Sequence, residues 1–182
     1  MKNLINKFIE ELNEIPLFKK NSKGLIAVSG GVDSIVLLNL FSKIEYKYKL
    51  EIGIVHLNHS YRKYQSDLDE LFVKDLAKKL GYKFFSRKWK SSSQSNWEEL
   101  ARNARYKYFL EIKNQENYNW LVTGHHLNDQ AETILMRFIQ GSSYRGLNGI
   151  PKSQNFLIRP LINISKNEIL EYANKYKLKF KN

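Results

Sequence analysis

The sequence predicts an α/β fold with an open, mainly parallel, five-stranded sheet and helices on both faces. Two observations lead to this prediction. Short apolar runs rich in branched residues alternate with longer segments whose apolar residues recur at helical spacing, as is typical of parallel sheets. The length of 182 residues suits one such domain with a substantial core. We therefore expect a single domain over 1–182, with an N-terminal helix and loop over 1–21 and a C-terminal helix and basic end over 163–182.

The first elements are predicted from apolar spacing. Leu4, Phe8 and Leu12 share one face of an opening helix. An apolar run over 24–28 predicts the first strand. A second apolar run, which begins behind two adjacent glycines, predicts a helix that ends near Ser42.

The next elements are bounded by capping residues. Residues 51–59 form an apolar run with a polar end and predict the second strand. Ser66 and Asp69 have the spacing of a capping box, so a helix is predicted from Ser66 to the helix-ending Gly81. The third strand follows over 82–86.

The second half of the chain continues this alternation. Ser165 with Glu168 forms a further capping box, which begins the last helix. The predicted elements are a helix over 97–108, a strand over 120–123, a helix through Phe138, a strand over 156–162 interrupted by a proline, and a helix from Ser165 to Tyr176. The predicted buried residues are Trp97, Leu100, Ala101, Ala104 and Tyr108 in the first of these helices and Ala131, Ile134, Leu135 and Phe138 in the second.

The composition indicates a basic protein without cysteine chemistry. A formal net charge of +12 is expected to attract a polyanion, usually a nucleic acid, although a solvated lysine-rich surface is the alternative. The absence of cysteine excludes disulfides, cysteine nucleophiles and thiolate-held metal clusters. No apolar stretch approaches the roughly 20 residues that span a bilayer. The start carries acids and resembles neither a signal nor a transit peptide, so we expect a cytoplasmic protein with no membrane partner.

A glycine loop between the first strand and its helix is the main functional motif. Residues 28–34 read Val-Ser-Gly-Gly-Val-Asp-Ser. Adjacent glycines let the backbone approach a ligand, and N–H groups of the loop and of the helix start can converge on phosphate. Ser29 and Ser34 can donate hydroxyls, and Asp33 can hold a magnesium ion. The spacing matches neither the Walker pattern nor the three-glycine dinucleotide fingerprint, and a plain capped turn is the alternative.

Two further groups of polar residues lie at the end of the second strand and in the helix predicted over 97–108. His56 and Asn58 end that strand, where ligands of open parallel sheets bind, and they are expected to contact adenine or ribose. A histidine with a purely structural hydrogen bond is the alternative. Arg102 and Arg105 share a helix face with Glu98, which indicates either an organised anion site or a surface salt bridge.

A second polar group follows the fourth strand. His125 and His126 precede Asp129 and Glu132, whose carboxylates are expected to face the active site from a helix start. A capping box formed by the two acids is one alternative, and a zinc site at the paired histidines is another, although zinc would lack further ligands. A glycine-rich segment over 141–151 is expected to face the substrate.

Residues 87–90, Arg-Lys-Trp-Lys, form a cation-rich segment in front of a serine-rich linker. Trp89 could stack on a nucleobase while its neighbours contact phosphates. The alternative is a solvated strand end with a packed indole. The sequence leaves both interpretations open.

Five ordered motifs together resemble the tRNA(Ile)-lysidine synthetase family of the ATP pyrophosphatase (PP-loop) superfamily. The motifs are residues 28–34; residues 56–59 with Arg62; Glu98 with Ala101, Arg102, Arg105 and Tyr106; residues 125–133; and residues 141–147 with Arg145. The resemblance covers about residues 22–176. It implies an adenine nucleotide alpha hydrolase-like, Rossmann-like fold.

The resemblance also implies a reaction: free lysine is joined to C2 of the wobble cytidine of tRNA(Ile) with a CAU anticodon, through a C2-adenylylated intermediate, with AMP and pyrophosphate as products. It implies ATP and Mg²⁺ as cofactors, and a homodimer is compatible with it. The implied nucleotide ligands are Ser29, Gly30, Gly31, Val32, Asp33, Ser34, His56 and Asn58, with Asp33 on the metal. The implied catalytic residues are Asp33, Arg105, Asp129 and Glu132, and the implied substrate ligands are Arg62, Arg102, Arg105, His125, His126, Asp129, Glu132 and Arg145.

Two departures from the family pattern stand out. Asn128 replaces the first of two adjacent acids, which leaves Asp129 three residues before Glu132. The family's usual C-terminal tRNA-binding extension is expected to be absent. The alternative functions are a noncatalytic nucleotide- or RNA-binding remnant and another cysteine-independent ATP pyrophosphatase. Thiolating relatives that use cysteine do not fit, and amide-forming relatives lack the arginine and paired-histidine motifs.

Overall fold

A computed structural model describes residues 3–59, 64–90, 96–143 and 147–181 of the chain. Helices and strands alternate through most of this part of the molecule. The helices are α1 (Leu4–Asn13), α2 (Val32–Tyr48), α3 (Tyr64–Leu80), α4 (Trp97–Gln115), α5 (Leu127–Ile139) and α6 (Lys166–Lys175). The strands are β1 (Lys23–Ala27), β2 (Glu51–Asn58), β3 (Lys83–Lys88), β4 (Trp120–Val122), β5 (Ser153–Gln154) and β6 (Leu157–Ile158).

The strands form one sheet in the order β3-β2-β1-β4-β6-β5. All neighbours pair in parallel except β5 and β6, which are antiparallel. The predicted mainly parallel α/β fold is therefore confirmed, but the described sheet has six strands instead of five, because the two-residue β5 carries no apolar run. The strand order reverses between β1 and β4, and a crevice opens at such a reversal beyond the strand ends.

Apolar layers cover both faces of the sheet. The larger layer joins α1, α2 and α6, and the smaller one lies under α4. At the centre of the larger layer, the fully buried Trp120 stacks on Phe41 with ring centroids 5.4 Å apart and donates its indole N–H to Ser22 Oγ at 3.0 Å. The indole occupies the space beside Gly24, where an added Cβ would lie 1.8 Å from the ring.

Several predicted element boundaries shift. α2 continues to Tyr48, because polar residues on its outer face do not end a helix, and the left-handed Lys49 terminates it. α3 begins at Tyr64, so Ser66 lies within the helix and does not cap it, which corrects the predicted capping box. The last predicted strand shrinks to β6, because Pro160 has no N–H for the sheet ladder. The predicted cap of α6 is confirmed, with Ser165 Oγ accepting from the backbone of Glu168.

The predicted burial of two helices is partly wrong. α5 has no buried residue, and Leu135 and Phe138 are 58% and 67% exposed. Periodicity shows that a helix has an apolar face but does not show what the face contacts, and in the described residues this face is open. In α4 Ala101 and Tyr108 are buried as predicted, whereas Leu100 is exposed. None of the helices in the described part of the chain is both long and apolar enough to cross a bilayer.

Candidate active site

The glycine loop makes a sharp turn between β1 and α2. Gly30 has φ of +99°, a left-handed conformation that favours glycine. Ser34 Oγ accepts from the backbone N–H groups of Ser29 and Gly30 at 3.2 and 3.3 Å, and Ser29 Oγ accepts from the N–H of Gly31 at 3.3 Å. Three backbone N–H groups thus converge on two hydroxyls through long hydrogen bonds. They lie at the N-terminus of α2, the positive end of the helix dipole. This arrangement, which we call the cradle (residues 29–34), fits an anion such as phosphate.

The cradle is supported from outside the loop. The Gly30 carbonyl accepts from the backbone N–H of Lys181 at 2.9 Å, so the C-terminal segment lies against the turn. On the other side, a Cβ added at Gly124 would lie 3.3 Å from the backbone of Asp33 and Ser34. The residue after β4 is therefore packed closely onto the start of α2. These contacts hold the convergent donors in place.

Asp33 is in the first turn of α2 and has a cationic partner that the sequence analysis missed. Its Oδ1 accepts from Lys166 Nζ at 2.5 Å and lies 3.6 Å from His126 Nε2. Lys166 begins α6, which packs on α2, and its backbone N–H also bonds Asn128 Oδ1 at 3.1 Å. No sequence motif marks Lys166; only the packing of two helices distant in the chain brings it to the cradle.

The carboxylate of Asp33 fits a magnesium ion held jointly with phosphate. No three His, Asp or Glu side chains of the described residues are grouped as a complete metal site. Magnesium in nucleotide sites needs only one or two protein carboxylates, because phosphates and waters supply the other ligands. Since Lys166 and His126 approach Oδ1, Oδ2 is the oxygen better placed to accept a further ligand.

A cavity of about 340 Å³ lies at the carboxyl ends of the central strands. It brings together half of the site residues predicted from sequence. The predicted site residues in its lining are Ser29, Asp33, Ser34, His56, Asn58, Arg105, His125 and Asp129. Gly30, Gly31 and Val32 belong to the cradle beside it, whereas Arg102, His126 and Glu132 do not contribute to the lining. Arg62 and Arg145 lie outside the described residues.

The end of β2 is held by structural hydrogen bonds. His56 is buried, and its Nδ1 lies 2.7 Å from the carbonyl of Val28, to which it donates. The side-chain amide of Asn58 donates to Asp67 and Glu70, both at 2.8 Å. Both residues thus have the structural role that was the alternative for His56, although both also line the cavity. Burial lowers the pKa of His56, so its imidazole is neutral near pH 7.

Arg105 makes a defined contact at the cavity wall. Its guanidinium, which can only donate, lies 2.7 Å from His59 Nε2. His59 therefore carries its proton on Nδ1, which finds no hydrogen-bond partner among the residues that the structure describes. Burial, helped by the Arg105 charge, lowers the pKa of His59 to about 4. A neutral His59 thus orients Arg105 without adding charge to the site.

A buried arginine whose charge acts on His125 is a second residue that the sequence analysis missed. Arg159 follows β6, is only 5% exposed, and donates to the carbonyl of Pro151 at 2.7 Å. Burial and the Arg159 charge lower the pKa of His125 to about 4, and Thr123 Oγ1 lies 2.8 Å from its Nδ1. The sequence did contain a clue to Arg159. This residue directly follows an apolar run, and residues that follow strands lie at the edge of the sheet where the site forms.

The two acids near the start of α5 do not form a pair at the cavity. Asp129 lines it and accepts from the backbone N–H of His126 at 2.9 Å, so it also caps the helix. Glu132 is exposed and outside the lining. The cap therefore joins Asp129 to His126 and not to Glu132, which corrects the capping box of two acids. Arg102 is exposed, with its guanidinium 5.9 Å from the ring centroid of Tyr106.

The neutral histidines predict an acid-sensitive fold. His59 and His125 have folded pKa values of about 4, below their ordinary 6.5, so the unfolded chain binds more protons between these pH values. The contribution of the two neutral histidines to the free energy of unfolding is therefore fully present above pH 6.5. It is lost as the pH falls towards 4, because protons then bind the unfolded chain more readily than the folded protein. We expect the urea midpoint to drop between pH 7 and 5, with each histidine contributing about 1 to 2 kcal/mol. The drop should be smaller in the double variant His59→Asn/His125→Asn, and an equal drop would contradict this assignment.

Comparison of the sequence with known proteins assigns the chain to a family and identifies relatives. The PP-loop domain family matches residues 1–182, so the chain belongs to that family. Over 181 residues it is 36% identical to a tRNA(Ile)-lysidine synthase of Clostridioides difficile, covering 96% of this chain and 39% of the relative. It is 44% identical over 156 residues to the synthase of Streptococcus equi subsp. equi, covering 84% and 36%. The chain thus spans about two fifths of the length of these relatives.

The fold also matches a solved structure. A U34-tRNA thiolase from Methanococcus maripaludis, which carries an iron–sulfur cluster, superimposes with a TM-score of 0.82 at 22% identity, covering 100% of this chain and 64% of the thiolase. A glutamine-dependent NAD+ synthetase from Acinetobacter baumannii gives a TM-score of 0.59 at 14% identity, covering 93% and 31%. Both matches support the fold assignment alone.

Proposed function

We propose that this chain is the ATP-using catalytic unit of a tRNA(Ile)-lysidine synthase, and that it joins free lysine to the wobble cytidine of tRNA(Ile) with a CAU anticodon. The observation that carries the proposal is the convergence of the backbone donors of the cradle, the carboxylate of Asp33 and the guanidinium of Arg105 around one cavity. The likeness to curated lysidine synthases supports the choice of reaction.

In the first step, the cytidine C2 oxygen bonds to the α-phosphorus of ATP, and the bond to pyrophosphate breaks. The cradle holds the β- and γ-phosphates at the start of α2, where its N–H groups stabilise the charge that builds on the leaving group. Asp33 would hold Mg²⁺, which supplies further neutralisation of the phosphates. Arg105, oriented by His59, provides a cation for the α-phosphate and the adenylate.

In the second step, the lysine ε-amine attacks C2, the C2–oxygen bond breaks, and AMP leaves. Asp129 would attract the lysine as a carboxylate in the cavity wall. Free lysine's amine has a pKa near 10.4, so a proton must be lost to a base before or during attack. The leaving AMP or a neighbouring carboxylate can take this proton. Glu132, which was expected to share this role, is exposed and does not line the cavity, so its part in lysine binding stays a prediction.

Two other functions can be distinguished from the proposed ligation of lysine: thiolation and noncatalytic binding. Thiolation is disfavoured, because this chain has no cysteine with which to hold an iron–sulfur cluster like that of the thiolase. A noncatalytic nucleotide- or RNA-binding role is favoured by Asn128 at the family's acidic position. A tRNA substrate accords with the net charge of +12, and a cytoplasmic location is part of the same proposal. A homodimer remains a prediction.

The test is to incubate the protein with ATP, Mg²⁺, lysine and tRNA(Ile) carrying a CAU anticodon, and to digest the RNA for nucleoside mass spectrometry. We expect lysidine to appear only when lysine and ATP are both present. Binding of ATP and tRNA without lysidine would favour the noncatalytic alternative. A tRNA with a CAC anticodon is the specificity control.

Asp129→Asn is expected to raise the KM for lysine about tenfold while leaving the KM for ATP within about twofold, because it removes one charge–charge attraction near the surface. Asparagine can still accept the N–H of His126, so helix stability should hardly change. Glu132→Gln, which removes a carboxylate outside the cavity lining, is the matched control and should have a smaller effect. Equal lysine dependence in Asp129→Asn and the wild type would show that Asp129 is only a cap.

A further inference from the structure

Three aromatic side chains, His59, Trp89 and Trp97, form a cluster at the edge of the cavity, which we call the aromatic platform. The ring centroids lie 6.4 Å apart for His59 and Trp89, 5.9 Å for His59 and Trp97, and 6.2 Å for the two indoles. Trp89 directly follows β3, where its backbone N–H bonds the carbonyl of Asn58 at 2.8 Å. Trp97 is the first residue of α4. The fold thus gathers the three rings from separate elements.

The platform differs from the core packing of the third tryptophan. Its interplanar angles are 87°, 69° and 52°, so no pair of its rings is stacked face to face. Trp89 packs partly against the smaller apolar layer, and both indoles remain partly exposed. Trp120, by contrast, is fully buried and stacks on Phe41 at 28°. Large aromatic rings that are partly exposed beside a binding site suit a planar ligand that stacks on them.

The charges around the platform favour a nucleic-acid base. Arg105 donates to His59, and the exposed Lys90 follows Trp89, so cations suited to phosphates adjoin two of the rings. Exposed Glu98 and Glu99 follow Trp97. Carboxylates repel phosphate but not an uncharged base. The Trp97 side of the platform therefore suits a base, and the Lys90 and Arg105 side suits the backbone attached to it.

The position of the aromatic platform indicates whether the stacked base belongs to ATP or to RNA. The cradle follows β1 and Trp89 follows β3, two strand spacings or about 10 Å away along the same edge of the sheet. His59 and Arg105 line the cavity, whereas Trp89 and Trp97 lie beyond its lining. A base that stacks on the indoles is therefore outside the space next to the cradle, which favours RNA over the adenine of ATP.

We propose that the aromatic platform binds an unpaired nucleobase of the RNA substrate by stacking, and so holds the RNA beside the cavity. This inference rests on the proposed function only in taking RNA as the substrate. Stacking depends on ring faces and tolerates any base, so the platform contributes affinity and position, while base choice is made elsewhere.

The experiment uses tryptophan fluorescence of the whole chain titrated with a CAU anticodon stem-loop. Only Trp89 and Trp97 are partly exposed, since Trp120 is buried, so quenching by RNA reports on the platform. We expect quenching by the stem-loop but not by ATP with Mg²⁺. Affinity for the RNA, measured separately by filter binding, should fall about tenfold in Trp97→Leu and in Trp97→Ala. Trp97→Phe should retain binding within about threefold.

The controls separate stacking from folding and from the proposed reaction. Trp97→Leu keeps an apolar side chain, and Tyr46→Ala removes an exposed aromatic ring from the far end of α2 as a matched control. Unchanged RNA affinity in Trp97→Leu and in Trp89→Leu would overturn the platform and leave the proposed function standing. Quenching by ATP alone would assign the platform to adenine instead. If the wild type bound no RNA, both proposals would fail.

Discussion

Asp33→Asn is expected to lower the rate of ATP-dependent AMP formation at least a hundredfold. Asp33 is the carboxylate beside the cradle, and its loss removes the protein ligand proposed for Mg²⁺ while leaving the loop and helix in place. The change also leaves Lys166 without its acceptor charge next to the phosphates. Steady-state assays with labelled ATP measure the effect, and equilibrium binding of ATP without metal should change much less than the rate.

The control for this variant is Asp75→Asn. Asp75 is an exposed carboxylate on α3, and it lies outside the cavity lining. It carries the same chemical change without contact with the cradle, so its rate should stay within about twofold of the wild type. An Asp33→Asn rate within tenfold of the wild type would refute the assignment of Asp33 to the metal.

Gly24→Ala is expected to destabilise the fold by about 3 kcal/mol or more, at the upper end of overpacking effects. The new methyl group would lie 1.8 Å from the indole of Trp120, which cannot move aside without losing its stacking on Phe41 and its bond to Ser22. Urea denaturation followed by circular dichroism measures the loss. The expected result is a much lower midpoint or no cooperative transition.

The matched control is Gly31→Ala, where, among the described residues, the added methyl group would meet only Ser29 Oγ within 4 Å, at an ordinary 3.5 Å. Its unfolding free energy should stay within about 1 kcal/mol of the wild type. If Gly24→Ala were as stable as Gly31→Ala, the close packing of β1 on Trp120 would be wrong.

The same physical reason allowed the sequence to predict both the parallel architecture and many of the polar residues that line the cavity. Apolar runs identify buried strands, and polar residues directly behind them must lie where parallel strands end together. Ser34, Asn58 and His125 were found in this way and do line one cavity. The glycine pair was found because two adjacent glycines between an apolar run and a helix let the backbone approach a ligand, and Gly30 adopts a left-handed conformation in this turn.

The rest depends on packing between distant segments, which local patterns do not encode. Lys166 reaches Asp33 only because α6 packs on α2. The apolar periodicity of α5 was real, but its face is open in the described residues, so Leu135 was wrongly predicted as buried. Glu132 has the right spacing from Asp129 and still lies outside the lining, because spacing along a helix does not determine distance from a cavity.

The central claim is that the cradle positions ATP for cleavage between its α- and β-phosphates. The most direct measurement follows α-labelled ATP with the protein, Mg²⁺, lysine and tRNA(Ile) by thin-layer chromatography, alongside an assay for pyrophosphate. The account predicts AMP and pyrophosphate in equal amounts, formed only when the tRNA is present. Formation of ADP and inorganic phosphate, or AMP formation independent of tRNA, would contradict it.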